Sequence, residues 1–153
     1  MSPKPDLELA FVLRADLGEV LDLGQTPRGV RRIIPILGGA FEGPSIRGRV
    51  LPGGADWQLI RGDAVTEIHA RYALQTDSGE LIYVQNPGIR HGPSDVMKRL
   101  NAGEVVDPSL YYFRSVPKFE TAASGCAWLM RSIFVCCGER YPREVRLGFW
   151  RVL

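Results

Sequence analysis

From Val65 to Thr76 the side chains change character at every step. Ile68, Ala70, Tyr72 and Leu74 fall on one face, and Glu67, His69 and Arg71 fall on the other. A period of two separates residues this way only along an extended strand with two unlike faces. Asp77-Ser78-Gly79 then reverses the chain into Glu80 to Asn86, a hairpin with glycine in its loop. Shorter strands are predicted at residues 7–14, 19–23, 28–36, 45–51, 56–61, 111–115, 127–137 and 144–152. Pro35 lacks an N–H and fits its strand only at an edge or a bulge. One helix is expected over 95–101, with Ser94 as N-cap, Asp95 in the first turn and Gly103 past the end.

Strands recur about every ten residues, and no long helix crosses between them. The pattern predicts an all-β chain with an antiparallel sheet of about eight to ten strands. So many strands in one small domain must split into a sandwich or close on themselves. Closure removes the edges and leaves room inside for side chains or one small ligand. We therefore expect a closed antiparallel β-barrel with one short connecting helix, a single domain over residues 1–153. In the strand read over 127–137, Trp128, Met130, Ser132 and Phe134 alternate with Leu129, Arg131, Ile133 and Val135. Both sets are largely apolar, so part of the outer wall should be covered, by the N-terminal segment or by a second subunit. A homo-oligomer is expected on that ground.

Three glycine-rich corners lie between Gly38 and Gln58, at Gly38-Gly39, Gly43-Pro44 and Pro52-Gly53-Gly54. They place Glu42 beside Phe41 and Asp56 beside Trp57, where a pocket rim could form. The formal net charge of +2 is too small to point to nucleic acid or an anionic membrane. No stretch long enough to span a bilayer is free of charge, and the N-terminus lacks the layout of a signal peptide. Three cysteines, Cys126, Cys136 and Cys137, form no secreted disulfide pattern and read as buried free thiols. A cytoplasmic protein is expected.

Several blocks in order resemble a known family. They include Gly38 to Pro44, Val50 to Gln58, Ala70-Arg71-Tyr72, Thr76 to Gly79 with Ile82-Tyr83-Val84, and Asn86-Pro87-Gly88-Ile89-Arg90. Further on come Gly103-Glu104, Val106 to Ser109, Tyr111 to Arg114, Pro117 to Thr121 and Trp128-Leu129 to Phe134. The chain is similar over nearly its whole length to the family catalogued as domain of unknown function three-two-three-seven. That resemblance implies a calycin-like antiparallel barrel whose biochemical role is mostly undefined. The resemblance also implies kinship with proteins that act as cofactor-free cyclases in natural-product pathways. Cys126, Met130 and Cys136-Cys137 depart from the family pattern, where an aromatic, an Asn and small residues are common.

Asp56 and Glu42 are the candidate acid/base residues. A carboxylate against an aromatic ring is partly desolvated, which raises its pKa toward a useful range. Each could instead cap a turn by accepting backbone N–H groups. Arg71 and Arg114, on different strands, could converge on an anion or oxyanion, or pair with acids outside the barrel. Trp57, Tyr83, Tyr112 and Trp128 could line a pocket or serve as packing. His69 and His91 have no metal-ligand spacing, so no metal is assigned. Arg28 to Arg32 is basic without interleaved aromatics and reads as a solvated edge. No phosphate-loop or dinucleotide fingerprint is present, and no cofactor is expected. Two functions remain: a cofactor-independent enzyme (a cyclase, isomerase or hydratase/lyase) acting on a small organic substrate, or a non-catalytic carrier or sensor of a small metabolite.

Overall fold

A computed structural model describes all residues 1–153. Eleven strands form: β1 (Leu7–Leu17), β2 (Leu21–Thr26), β3 (Gly29–Glu42), β4 (Arg47–Val50), β5 (Gly54–Ile60), β6 (Thr66–Thr76), β7 (Leu81–His91), β8 (Tyr112–Ser115), β9 (Lys118–Glu120), β10 (Ile133–Tyr141) and β11 (Glu144–Val152). Eight close a ring through antiparallel pairs in the order β1, β3, β5, β6, β7, β8, β10, β11 and back to β1. The barrel is thus closed, and every strand of the ring has two partners.

The other three strands are additions. β2 pairs along β3 outside the ring. β4 continues the line of β5: both lie between β3 and β6, separated by Leu51-Pro52-Gly53. The expected corner at Pro52-Gly53-Gly54 therefore interrupts one strand position and does not reverse the chain. β9 continues β8 along β7 in the same way, past Val116-Pro117. Pro35 sits just before the register shift of β3 against β1 at Leu37, where a missing donor is tolerated. Gly39 follows that shift, and a Cβ there would lie 2.0 Å from the Arg14 carbonyl oxygen, so only glycine allows β1 and β3 this approach.

The β6–β7 hairpin turns at Thr76–Gly79, closed by the Gly79 N–H donating to Thr76 O at 2.8 Å. Gly79 has φ +90°, with no atom within 4 Å of a would-be Cβ. Gly79→Ala should therefore cost about 1 kcal/mol from backbone conformation alone. Urea denaturation measures it, and a neutral result would show that the turn can relax.

Helix α1 spans Ser94–Asn101, with Pro93 in the N-cap position and no side-chain cap, so Ser94 lies inside the helix. The strand expected from Ala127 is corrected. Ser124–Arg131 is a 3-10 helical segment, and β10 begins only at Ile133. Two apolar sets in alternation carry no contrast between faces, so the residues 127–131 had no true period of two.

The interior is polarised along its axis. At one end Phe11 stacks on Phe149 with centroids 4.3 Å apart, Phe41 and Phe119 pack against the pair, and Phe134 meets Phe119 edge-on. The 3-10 segment buries Cys126 and Leu129 in the same core. At the other end, Arg32, Gln58, Thr66, Arg90 and Arg140 are all buried. α1 leaves β7 at this polar end and adds Val96, Met97 and Leu100 to the core.

Candidate functional site

Inward-facing residues line up across strands by register. Ile34 on β3 pairs with Asp56 on β5, Asp56 with Ala70 on β6, and Ala70 with Asn86 on β7. One level further, Arg32 pairs with Gln58, and beyond that Thr66 pairs with Arg90. Asp56, Gln58, Tyr72, Asn86, Arg90 and Arg140 converge on an interior cavity whose apolar wall comes mainly from Leu13, Ala15, Ile34, Ile36 and Leu147. Its free volume is about 40 Å³, room for about three water-sized groups.

Asp56 Oδ2 accepts a hydrogen bond from Gln58 Nε2 at 2.8 Å, and Oδ1 accepts from the His69 backbone N–H at 2.9 Å. The residue keeps partial solvent access, yet protein packs densely around its carboxylate. That desolvation raises its pKa above the ordinary carboxylate value, outweighing the Gln58 and His69 bonds and the Arg90 charge, which favour the ionised form. Tyr72 is buried and its pKa is raised by desolvation, so its hydroxyl stays protonated. It lies near the Asn86 amide, but neither Tyr72 OH nor Asn86 Oδ1 completes a hydrogen bond of ordinary geometry.

Arg90 is 2% exposed and lies with its guanidinium carbon 5.5 Å from the Phe113 ring centroid. Its Nε and Nη1 are buried with no hydrogen-bond partner. Burial first, and the Arg140 charge second, lower its pKa to about 10, so it remains a cation at neutral pH. Arg140 is likewise lowered to about 10, by burial and then by Arg32. Arg140 Nη1 donates to the carbonyl of Tyr141, and its backbone N–H donates to Tyr111 OH at 2.8 Å. No ion pair within 4.0 Å includes Arg32, Arg90 or Arg140.

Of the eight residues singled out from the sequence, only Asp56 lines this cavity. Glu42 is exposed at the end of β3 and borders a groove on the outer wall, so the two carboxylates are not brought together. Trp57, Tyr83 and Tyr112 are 46%, 37% and 46% exposed, and Arg71 and Arg114 are also exposed on outward positions. Arg114 lies over the Tyr112 ring, which stacks on His91. Trp128 is on the 3-10 segment, 6.2 Å from Phe134 between centroids, at the aromatic end. Arg90, Arg140, Arg32, Gln58 and Asn86 are the polar groups that sequence reasoning did not place in the site. Strand phase was the usable signal. Arg90 is an even number of residues from Ile82, Val84 and Asn86, and Arg140 from Phe134 and Cys136.

Residues 5–152 match the family described as "Protein of unknown function (DUF3237)". A UPF0311 protein of Rhodopseudomonas palustris (strain TIE-1) is 44% identical over 153 residues, the full length of both chains. A crystal structure of a conserved protein of unknown function from Rhodopseudomonas palustris superposes with a TM-score of 0.96 at 43% identity, over 99% of this chain and 100% of that one. An enzyme from Penicillium herquei superposes with a TM-score of 0.74 at 19% identity, over 100% of this chain and 98% of that one, a likeness of fold alone. With a match across almost its entire length, the chain belongs to the DUF3237 family of proteins of unknown function.

Proposed function

We propose that the protein binds a small organic molecule at the polar end of its barrel and moves a proton on it, with Asp56 as the acid/base group. The observation that carries this reading is the desolvated Asp56 carboxylate facing the same cavity as the Arg90 guanidinium. A carboxyl group with a raised pKa works as a base nearer neutral pH, and a fixed cation opposite it stabilises the negative charge that develops when a proton leaves carbon or oxygen. Tyr72 OH and Gln58 Oε1, buried without partners, supply a donor and an acceptor to orient a ligand. Cyclisation, isomerisation and addition or loss of water all need only such steps. That the distant fold relative is an enzyme agrees with this reading.

A second reading, a carrier or sensor without chemistry, is favoured by one observation. Both Asp56 oxygens already accept a hydrogen bond from the protein, the arrangement of a structural carboxylate. Hydrogen–deuterium exchange separates the two. Acetone (neutral) and pyruvate (anionic) are compact and carry exchangeable C–H bonds next to a carbonyl. Catalysed incorporation of solvent deuterium into either, followed by proton NMR, supports the enzyme. Saturable binding without exchange above buffer supports the carrier, and neither binding nor exchange removes both readings.

A further inference from the structure

We infer that this cavity is built to receive a carboxylate, held by the unpartnered guanidinium of Arg90, with Arg140 and Arg32 adding positive charge at the same end of the barrel. Three buried guanidinium groups share the polar end of the barrel with one carboxylate, Asp56, and that carboxylate pairs with none of them within 4.0 Å. A buried ion without a partner is costly, and natural cores rarely keep one without a reason. Arg90 is the extreme case. It is among the largest fully enclosed side chains in the molecule, and its Nε and Nη1 have no acceptor. Phe113 lies against the guanidinium, and Gly138 leaves the space that the Phe113 ring fills, since a Cβ there would lie 2.7 Å from it. The fork is therefore held in place without being satisfied.

A planar carboxylate matches a guanidinium edge by two parallel N–H···O bonds, stronger than neutral hydrogen bonds. The cavity is small, about 40 Å³, and suits a compact planar group. Apolar walls at Leu13, Ile34 and Leu147 would take the first carbons beyond it. The ligand class is thus a small organic acid. The inference rests on the cavity being the ligand site, and not on Asp56 performing chemistry there.

The test reads Arg90 itself. In ¹⁵N-labelled full-length protein at constant ionic strength, formate and acetate are titrated against formamide and acetamide, and the arginine Nε–H signals are followed. Arg90→Met and Arg90→Lys assign the Arg90 signal by its disappearance. The expected result is a saturable shift of that signal with the two acids, none with the two amides, and apparent affinity at least tenfold weaker in R90M, read from backbone amides lining the cavity. A rise in melting temperature with acetate but not acetamide should accompany it in the unaltered protein. Equal shifts with acids and amides, or no saturable shift, overturns the inference, as does undiminished acetate binding in R90M. The unaltered protein supplies the decisive titration even if a variant fails to fold. Failure of the proton-transfer reading looks different: acetate still binds, and no C–H exchange occurs.

Discussion

Phe149→Ala should lower the free energy of unfolding by about 3–5 kcal/mol. Phe149 is completely buried, stacked on Phe11 at 4.3 Å and tilted against Phe119 at 5.9 Å between centroids. The ring sits on β11 opposite Phe11 on β1 and Cys136 on β10, three neighbouring staves of the closed barrel. A closed sheet cannot easily collapse into the void, because each strand is tied on both sides. The cost should therefore include most of the cavity term as well as the lost transfer energy. For a chain of this size the fall corresponds to roughly 10 °C in melting temperature. Val12→Ala is the matched control. Val12 is one residue from Phe11 but points outward and is 51% exposed, so its loss should stay within about 0.5 kcal/mol. Urea denaturation of both variants checks the pair. A Phe149→Ala cost below about 1 kcal/mol would mean that the aromatic end is not the structural anchor of the barrel.

Much of this architecture is legible in the chain because strands write their two faces in alternate residues. Ile68, Ala70, Tyr72 and Leu74 do point inward, and the hairpin after Thr76 turns where Asp77-Ser78-Gly79 says it should. The closed barrel follows from many short strands without long crossovers. The site was less legible for a physical reason. Polar and aromatic residues attract attention wherever they stand, but in a barrel their phase decides which side they see. Arg71 lies between the inward residues Ala70 and Tyr72 and so must face out, whereas Arg90 shares the phase of Ile82 and Val84. Arg32 looked like part of a solvated basic edge. Alternation separates it from Arg31 and turns it inward beside Ile34. Trp128 was misplaced for a different reason: a 3-10 segment of mixed apolar residues imitates a strand when no polar face marks the period.

Asp56→Asn should reduce any proton-transfer turnover by about 10²–10⁴-fold, the usual contribution of a positioned acid/base group, while leaving the barrel folded. Asn keeps an oxygen for the His69 backbone N–H. The Gln58 amide can rotate to offer its Oε1, now without a partner, to the new Asn N–H group. The substitution thus removes a charge and a titration with little change of shape. As a base, Asp56 works only when ionised, so the rate should climb as pH rises through its raised pKa, and this acid limb should vanish in D56N. Stability runs the opposite way. The folded-state pKa lies above the unfolded one, so the stabilisation associated with this group is fully present below the unfolded pKa and is lost as pH rises through the folded one. Asp63, held down to about 2 chiefly by its bond from Arg61, and Asp107, held down by the Ser109 N–H, act in the reverse sense. Both are shared by the two proteins, so the difference in melting temperature isolates Asp56, and D56N should gain on the unaltered chain as pH increases from acid to neutral. Arg90, Arg140 and Arg32 lie within electrostatic reach of the carboxylate and stay charged from acid to neutral pH in both proteins, so they do not reverse that difference. A difference curve that stays flat would show that Asp56 ionises as freely in the barrel as in the unfolded chain, and a desolvated base would no longer be available to do the chemistry.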